Sequence, residues 1–195
     1  MQIKQIPGTL LPYDSKLGPN TFSVISSLCA AAGGLSLSQI VGITGLEGST
    51  IQNWVKRGWV SKPTGKKYNE RQIARILIIS VLRDCIQLDK IARLMRYVNG
   101  SVDDCSDDII DEGELFNRLC AVLFELDETR LSRKDIRAVI KRQLADYEGP
   151  RLDSAECLTQ ALEIMVMAYL SARMKQQTEQ LFQALPGINE EKEGC

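Results

Sequence analysis

The apolar positions of this chain fall into helix-length stretches with a 3.6-residue repeat, separated by glycines, prolines and short polar runs. Residues 21–32 place Phe22, Ile25, Leu28 and Cys29 on one face, with Asn20 or Thr21 as the cap and Gly33-Gly34 as the stop. Residues 36–43 read as a short helix with Leu37, Ile40 and Val41 inward, and Gly45 stands at its C-cap. A second short helix, residues 49–57, turns Ile51, Trp54 and Val55 to one side. It leaves Gln52, Asn53, Lys56 and Arg57 on the other, and Gly58 closes it.

The next segment, WVSKPTGKKY at 59–68, has the composition of a two-stranded wing around a Lys62-Pro63-Thr64-Gly65 turn. Asn69 then caps a helix over 70–85 that is apolar on most sides. Asp89 is expected to cap another over 90–98, before Asn99-Gly100. Three further helices are predicted: 109–126, 132–147 with Ser132 as its cap, and 154–185. The last carries Leu158, Ala161, Leu162, Met165, Ala168, Tyr169 and Ala172 at helical spacing. The fold class expected is all-α with a small β-wing. Its parts are an N-terminal arm and helix (1–35), a winged helix-turn-helix unit (36–100), and an acidic linker with a helical C-terminal domain (101–195).

Charge sharpens this division. The formal net charge is only −1, yet residues 56–96 hold eleven Lys or Arg against three acids, a net of +8. Residues 101–128 hold ten acids and one base, Arg118, a net of −9. A basic run that coincides with a helix-turn-helix points to a nucleic-acid face, whereas an isolated charge run is usually a solvated surface. The acidic run DDCSDDIIDEGE reads as a solvated linker and helix start, because it lacks the residue order of a calcium loop.

Several function classes fall away. The chain has no histidine, which removes Ser-His-Asp and Cys-His nucleophile systems and any Cys/His zinc site. The Gly65-Lys66 pair lacks the spacing of a phosphate loop and the hydroxyl residue after the lysine. An enzyme is therefore not expected, nor is a cofactor or a metal. The six cysteines contain no CxxC pair and read as free thiols. The sharper alternative is a redox sensor, for which Cys105 and Cys195 are the exposed candidates. No apolar run reaches the roughly 18–20 residues of a membrane span, and the N-terminus has no signal-peptide h-region, so the expected setting is the cytoplasm.

From Leu37 to Met95 the chain resembles the DNA-binding domain of the MerR family of bacterial regulators. Gly45, Thr50, Ile51, Trp54, Lys56, Gly58, Val60, Pro63, Gly65, Tyr68, Arg75 and Leu77 fall in the family's order, and IQLDKIARLM looks like its second helix-turn-helix. The family's usual Arg and Tyr on the recognition helix are Gln52 and Asn53 here, and the wing is about one residue shorter. The resemblance covers about a third of the chain and implies a transcriptional regulator. It does not carry over base contacts.

The function expected from the sequence is sequence-specific binding of double-stranded DNA by a dimer joined through its C-terminal helices. Gln52 or Asn53 would pair with adenine in the major groove, and Ser49 and Thr50 would meet a phosphate at the helix N-terminus. Lys56, Arg57, Lys66 and Lys67 would grip the backbone. Arg75 could join them, or could equally pair with an acid. The alternative is a winged-helix module that binds another protein without reading DNA. No residue marks an effector pocket.

Overall fold

The computed structural model describes residues 5–14, 20–104, 106–126 and 131–186, and the thiols of Cys105 and Cys195 lie outside them. The elements in chain order are α1 (Ser23–Ala32), β1 (Leu35–Ser36), α2 (Leu37–Thr44), α3 (Gly48–Lys56), β2 (Lys67–Tyr68) and α4 (Glu70–Leu82). Then follow α5 (Leu88–Asn99), α6 (Glu112–Glu125), α7 (Arg133–Gln143) and α8 (Ser154–Gln183). The described chain is thus mostly helical, with one small antiparallel sheet.

Helix α4 is the axle of the molecule. Its sequence, ERQIARILIISVL, leaves almost no polar face, and every residue from Gln72 to Ile79 is buried. Such a helix needs neighbours on all sides, and it has them: α1, α2, α5, α6 and α8 all pack on it. Its N-terminus carries a reciprocal capping box between Asn69 and Gln72. One hydrophobic cluster runs from Ile6 through α4 to Ala168, so packing is continuous across residue 100, where the sequence suggests a boundary.

Two helix starts differ from expectation. Neither Asn20 nor Thr21 caps α1. Instead Asn117 of α6 accepts a hydrogen bond from the Phe22 backbone N–H at 2.7 Å and donates one to the Asn20 side chain at 3.1 Å. A tertiary contact thus replaces the local cap. Leu28, expected inward on that helix, is 46% exposed. Asp89 does not cap α5, which starts two residues earlier, after Gln87, and has no side-chain cap. By contrast Ser132 caps α7 as expected.

The wing also differs. Residues 64–67 form a tight turn with reciprocal backbone bonds between Thr64 and Lys67, at 3.0 and 3.1 Å. Gly65 and Lys66 both have positive φ, 57° and 64°, the signature of a type I′ hairpin turn. The strand that follows pairs not with residues 59–63 but with β1, in the register Leu35↔Tyr68 and Ser36↔Lys67. The reason lies in the backbone between. Val60 is fully buried, the carbonyls of Ser61 and Lys62 accept from the Gln72 side chain, and Pro63 has no N–H to give a ladder.

Candidate nucleic-acid interface

The candidate interface is built on α2 and α3. Ser36 and Gln39 form a capping box at the start of α2, and Gly45 ends it at φ 70°, a conformation only glycine adopts without strain. The Thr44 hydroxyl donates to the Ile40 carbonyl and accepts from the Leu46 N–H, which fixes the chain through the turn. Helix α3 then buries Ile51 and Trp54 completely, to 0% and 1% exposure. The opposite side is polar: Ser49, Gln52, Asn53, Lys56 and Arg57 are exposed, and Thr50 is half-buried.

The sequence-selected residues are not equally free. The Ser49 hydroxyl bonds to Glu47 Oε2 at 3.3 Å, so a carboxylate already stands beside the helix N-terminus expected to meet a phosphate. Arg57 lays its guanidinium over the Trp59 ring, 5.2 Å from the centroid. The Lys67 ammonium donates to the Ala32 carbonyl at the end of α1, where a cation complements the helix dipole. Gln52, Asn53, Lys56 and Lys66 make no side-chain hydrogen bond or ion pair among the described residues and are exposed.

Arg75 is the clear correction. It is 3% exposed, donates from Nε to Glu112 Oε1 at 3.1 Å and holds Nη2 in ion-pair contact with the same oxygen at 2.9 Å, so it faces α6 and not solvent. Arg71 stands beside it, 2.6 Å from Glu112 Oε2 and 2.9 Å from Asp108. Burial pushes the Glu112 carboxyl up from its ordinary value, while Arg75 and Arg71 hold it back. Burial likewise pulls the Arg75 guanidinium down, and Glu112 opposes the change. Part of the acidic run is therefore not a solvated linker. Asp108 and Glu112 neutralise α4 and tie it to the C-terminal helices.

The site also contains residues that sequence reasoning counted but did not select. Lys90, Arg93 and Arg96 are exposed on α5 and make no ion pair among the described residues. A small cleft lined by Gly58, Trp59, Leu88, Ala92 and Arg96 lies between the end of α3 and α5, so Trp59 and Arg96 line the same cleft. Their three-residue spacing on one helix was the available signal. Arg118, Arg133, Arg137, Arg142 and Arg151, by contrast, each stand in an ion pair.

Residues 34–119 match a domain of unknown function, DUF1836. The DUF1836 match takes in β1, the α2–α3 unit, the turn at 64–67, α4, α5 and half of α6. It therefore includes both Arg75 and its partner Glu112. A curated relative, "Uncharacterized protein YkrK" of Bacillus subtilis (strain 168), is 28% identical over 110 residues, covering 54% of this chain. The aligned region spans 45% of that relative's length. No solved structure matches the chain. Among the described residues there is no group of side chains suited to hold a metal ion, and no helix long and apolar enough to cross a membrane.

Proposed function

We propose that this protein is a sequence-specific double-stranded DNA-binding regulator of MerR type, acting as a dimer, with α3 as its recognition helix. The observation that carries the reading is the face of α3. Two amide side chains, Gln52 and Asn53, are fully outward on a helix whose other side is locked into the core by Ile51 and Trp54. Amides in that position suit the N6 and N7 atoms of adenine, a pairing worth about 1–3 kcal/mol of discrimination.

Charge supports the same face. Lys56, Lys62, Lys66, Lys90, Arg93 and Arg96 all lie within residues 56–96 and make no ion pair among the described residues. Cations left without partners are available to phosphates. Lys66 adds a further hint. It sits at φ 64°, a position where Gly or Asn would be less strained. A lysine there puts its charge at the tip of the turn. Arg75 has no part in this face, and Lys67 contributes less than its sequence position suggests.

The experiment is selection of bound duplexes from a random pool by the full chain. A defined base preference is expected. Gln52→Ala and Asn53→Ala should flatten it at one or two positions, by roughly 5–100-fold in relative affinity, while Lys66→Ala should weaken all duplexes alike. Unchanged preference in both amide variants would show that α3 is not the reading helix. Failure to enrich any sequence would favour a protein-binding module.

A further inference from the structure

Five parts of the chain converge around an open groove of about 730 Å³. It is bordered by the N-terminal arm, by the last turns of α2, α4 and α6, and by one face of α8. That volume falls within the roughly 300–1,000 Å³ of small-molecule sites. The walls are fixed by packing. The arm lies so close to α4 that a Cβ on Gly8 would stand 2.9 Å from the Leu77 carbonyl oxygen. The Leu10 N–H donates to the Ile43 carbonyl at 2.8 Å, and Tyr13 stacks on Phe124 with ring centroids 3.7 Å apart. On α8, Tyr169, Ala172, Arg173 and Gln176 have the i, i+3, i+4, i+7 spacing of one helix face.

The lining offers recognition of both charges beside an apolar wall. Ile6, Val81, Phe124 and Tyr169 supply the wall. Arg83 and Arg173 bring two guanidiniums, and Asp84 brings a carboxylate. The Arg83 and Asp84 side chains are 38% and 52% exposed and stand 3.7 Å apart, a loose pair that a ligand can enter. The side chains of Gln5, Ser80 and Gln176 make no hydrogen bond among the described residues. The ends of three helices add carbonyls that carry partial negative charge and have no intrahelical donor.

We infer that this groove binds a free α-amino acid with an aromatic side chain, and that its occupancy resets α3. The ligand carboxylate pairs with the guanidiniums of Arg83 and Arg173. Its ammonium is held by Asp84 and the helix C-termini. Its ring lies against Phe124 and Tyr169. A simple amine or a simple carboxylate matches only half of this lining. The second part of the inference follows from which residues border the groove. Thr44, Gly45 and Leu46 line it, and they form the turn that aims α3. A ligand that touches this turn and the C-terminal helices together gains or loses contacts whenever α3 shifts, which is the condition for coupling. This second part rests on the proposed function, and the first does not.

Ligand-observed NMR of the full chain tests the site without DNA. L-Phenylalanine should bind saturably, with a dissociation constant of about 1 mM or tighter. Phenethylamine and N-acetyl-L-phenylalanine, which each lack one charge, should bind at least ~10-fold more weakly. Arg83→Ala/Arg173→Ala should lose about 10-fold or more in affinity with its helicity intact by circular dichroism. Asp84→Ala, at an exposed side chain, should show a similar loss and stands in if the double variant misfolds. Arg151→Ala, before the start of α8, should bind as the wild type does. No binding of L-phenylalanine, equal binding of either analogue, or undiminished binding by the folded variants would overturn the site. Saturating L-phenylalanine should then change affinity for a selected duplex by about 5-fold or more. An unchanged affinity would overturn the coupling. A chain that binds L-phenylalanine but no DNA refutes only the proposed function, and one that binds DNA but not L-phenylalanine refutes only this inference.

Discussion

Arg75 and Glu112 show how one residue can be read two ways from a sequence. An arginine in a basic run on the helix behind a wing looks like a phosphate contact. In the folded chain it is 3% exposed and faces a carboxylate that is fully buried. Nothing in the spacing of 37 residues announces that pair, because it depends on how α6 lies on α4. The pair's energetics are testable. Removing one member of a buried ion pair leaves the other uncompensated and costs about 3–5 kcal/mol, whereas replacing both by apolar residues is often close to neutral. Arg71 still reaches Glu112, so Arg75→Met should sit at the lower end, about 3 kcal/mol. Arg75→Met/Glu112→Leu should recover most of that loss, with Arg71 kept neutral by Asp108. Urea unfolding of the two variants measures it, and equal losses in both would mean the pair is not what stabilises this contact.

At the scale of elements, existence and order were legible and edges and partners less so. Periodic apolar spacing located all the α-helices, and the glycine at 45 and the serine at 132 marked two boundaries correctly. Two of the misses share one cause: backbone groups satisfied from a distance. The start of α1 is served by Asn117, and the residues before Pro63 are held by Gln72, so neither local caps nor a local hairpin form there. The small sheet is non-local as well, joining residues 35–36 to 67–68. The turn that aims α3 depends on Gly45. A side chain at φ 70° costs roughly 1–2 kcal/mol, and a Cβ there would also press on Leu10 at 3.3 Å. Gly45→Ala should lower unfolding free energy by about that amount. Thermal melts with unchanged stability would mean that the turn relaxes around the new side chain.

At the scale of the molecule, the charge asymmetry of the sequence takes a physical form. The acidic run splits, with Asp108 and Glu112 drawn onto α4, while the cations of α3, the turn at 64–67 and α5 remain unneutralised. The outward face of α3 was legible in the sequence because helical periodicity alone separates Gln52 and Asn53 from Ile51 and Trp54. The proposed contribution of α5 is not legible there, since only the fold sets Arg96 and Trp59 along one cleft. This face is proposed to bind duplex DNA through phosphate contacts. The most direct measurement is a fluorescence-anisotropy titration of the full chain with a labelled random duplex at 50 and 200 mM salt. With about four phosphate contacts, affinity should fall roughly 100-fold between the two. No binding at the lower salt, or binding that does not change with salt, would contradict DNA binding by this face.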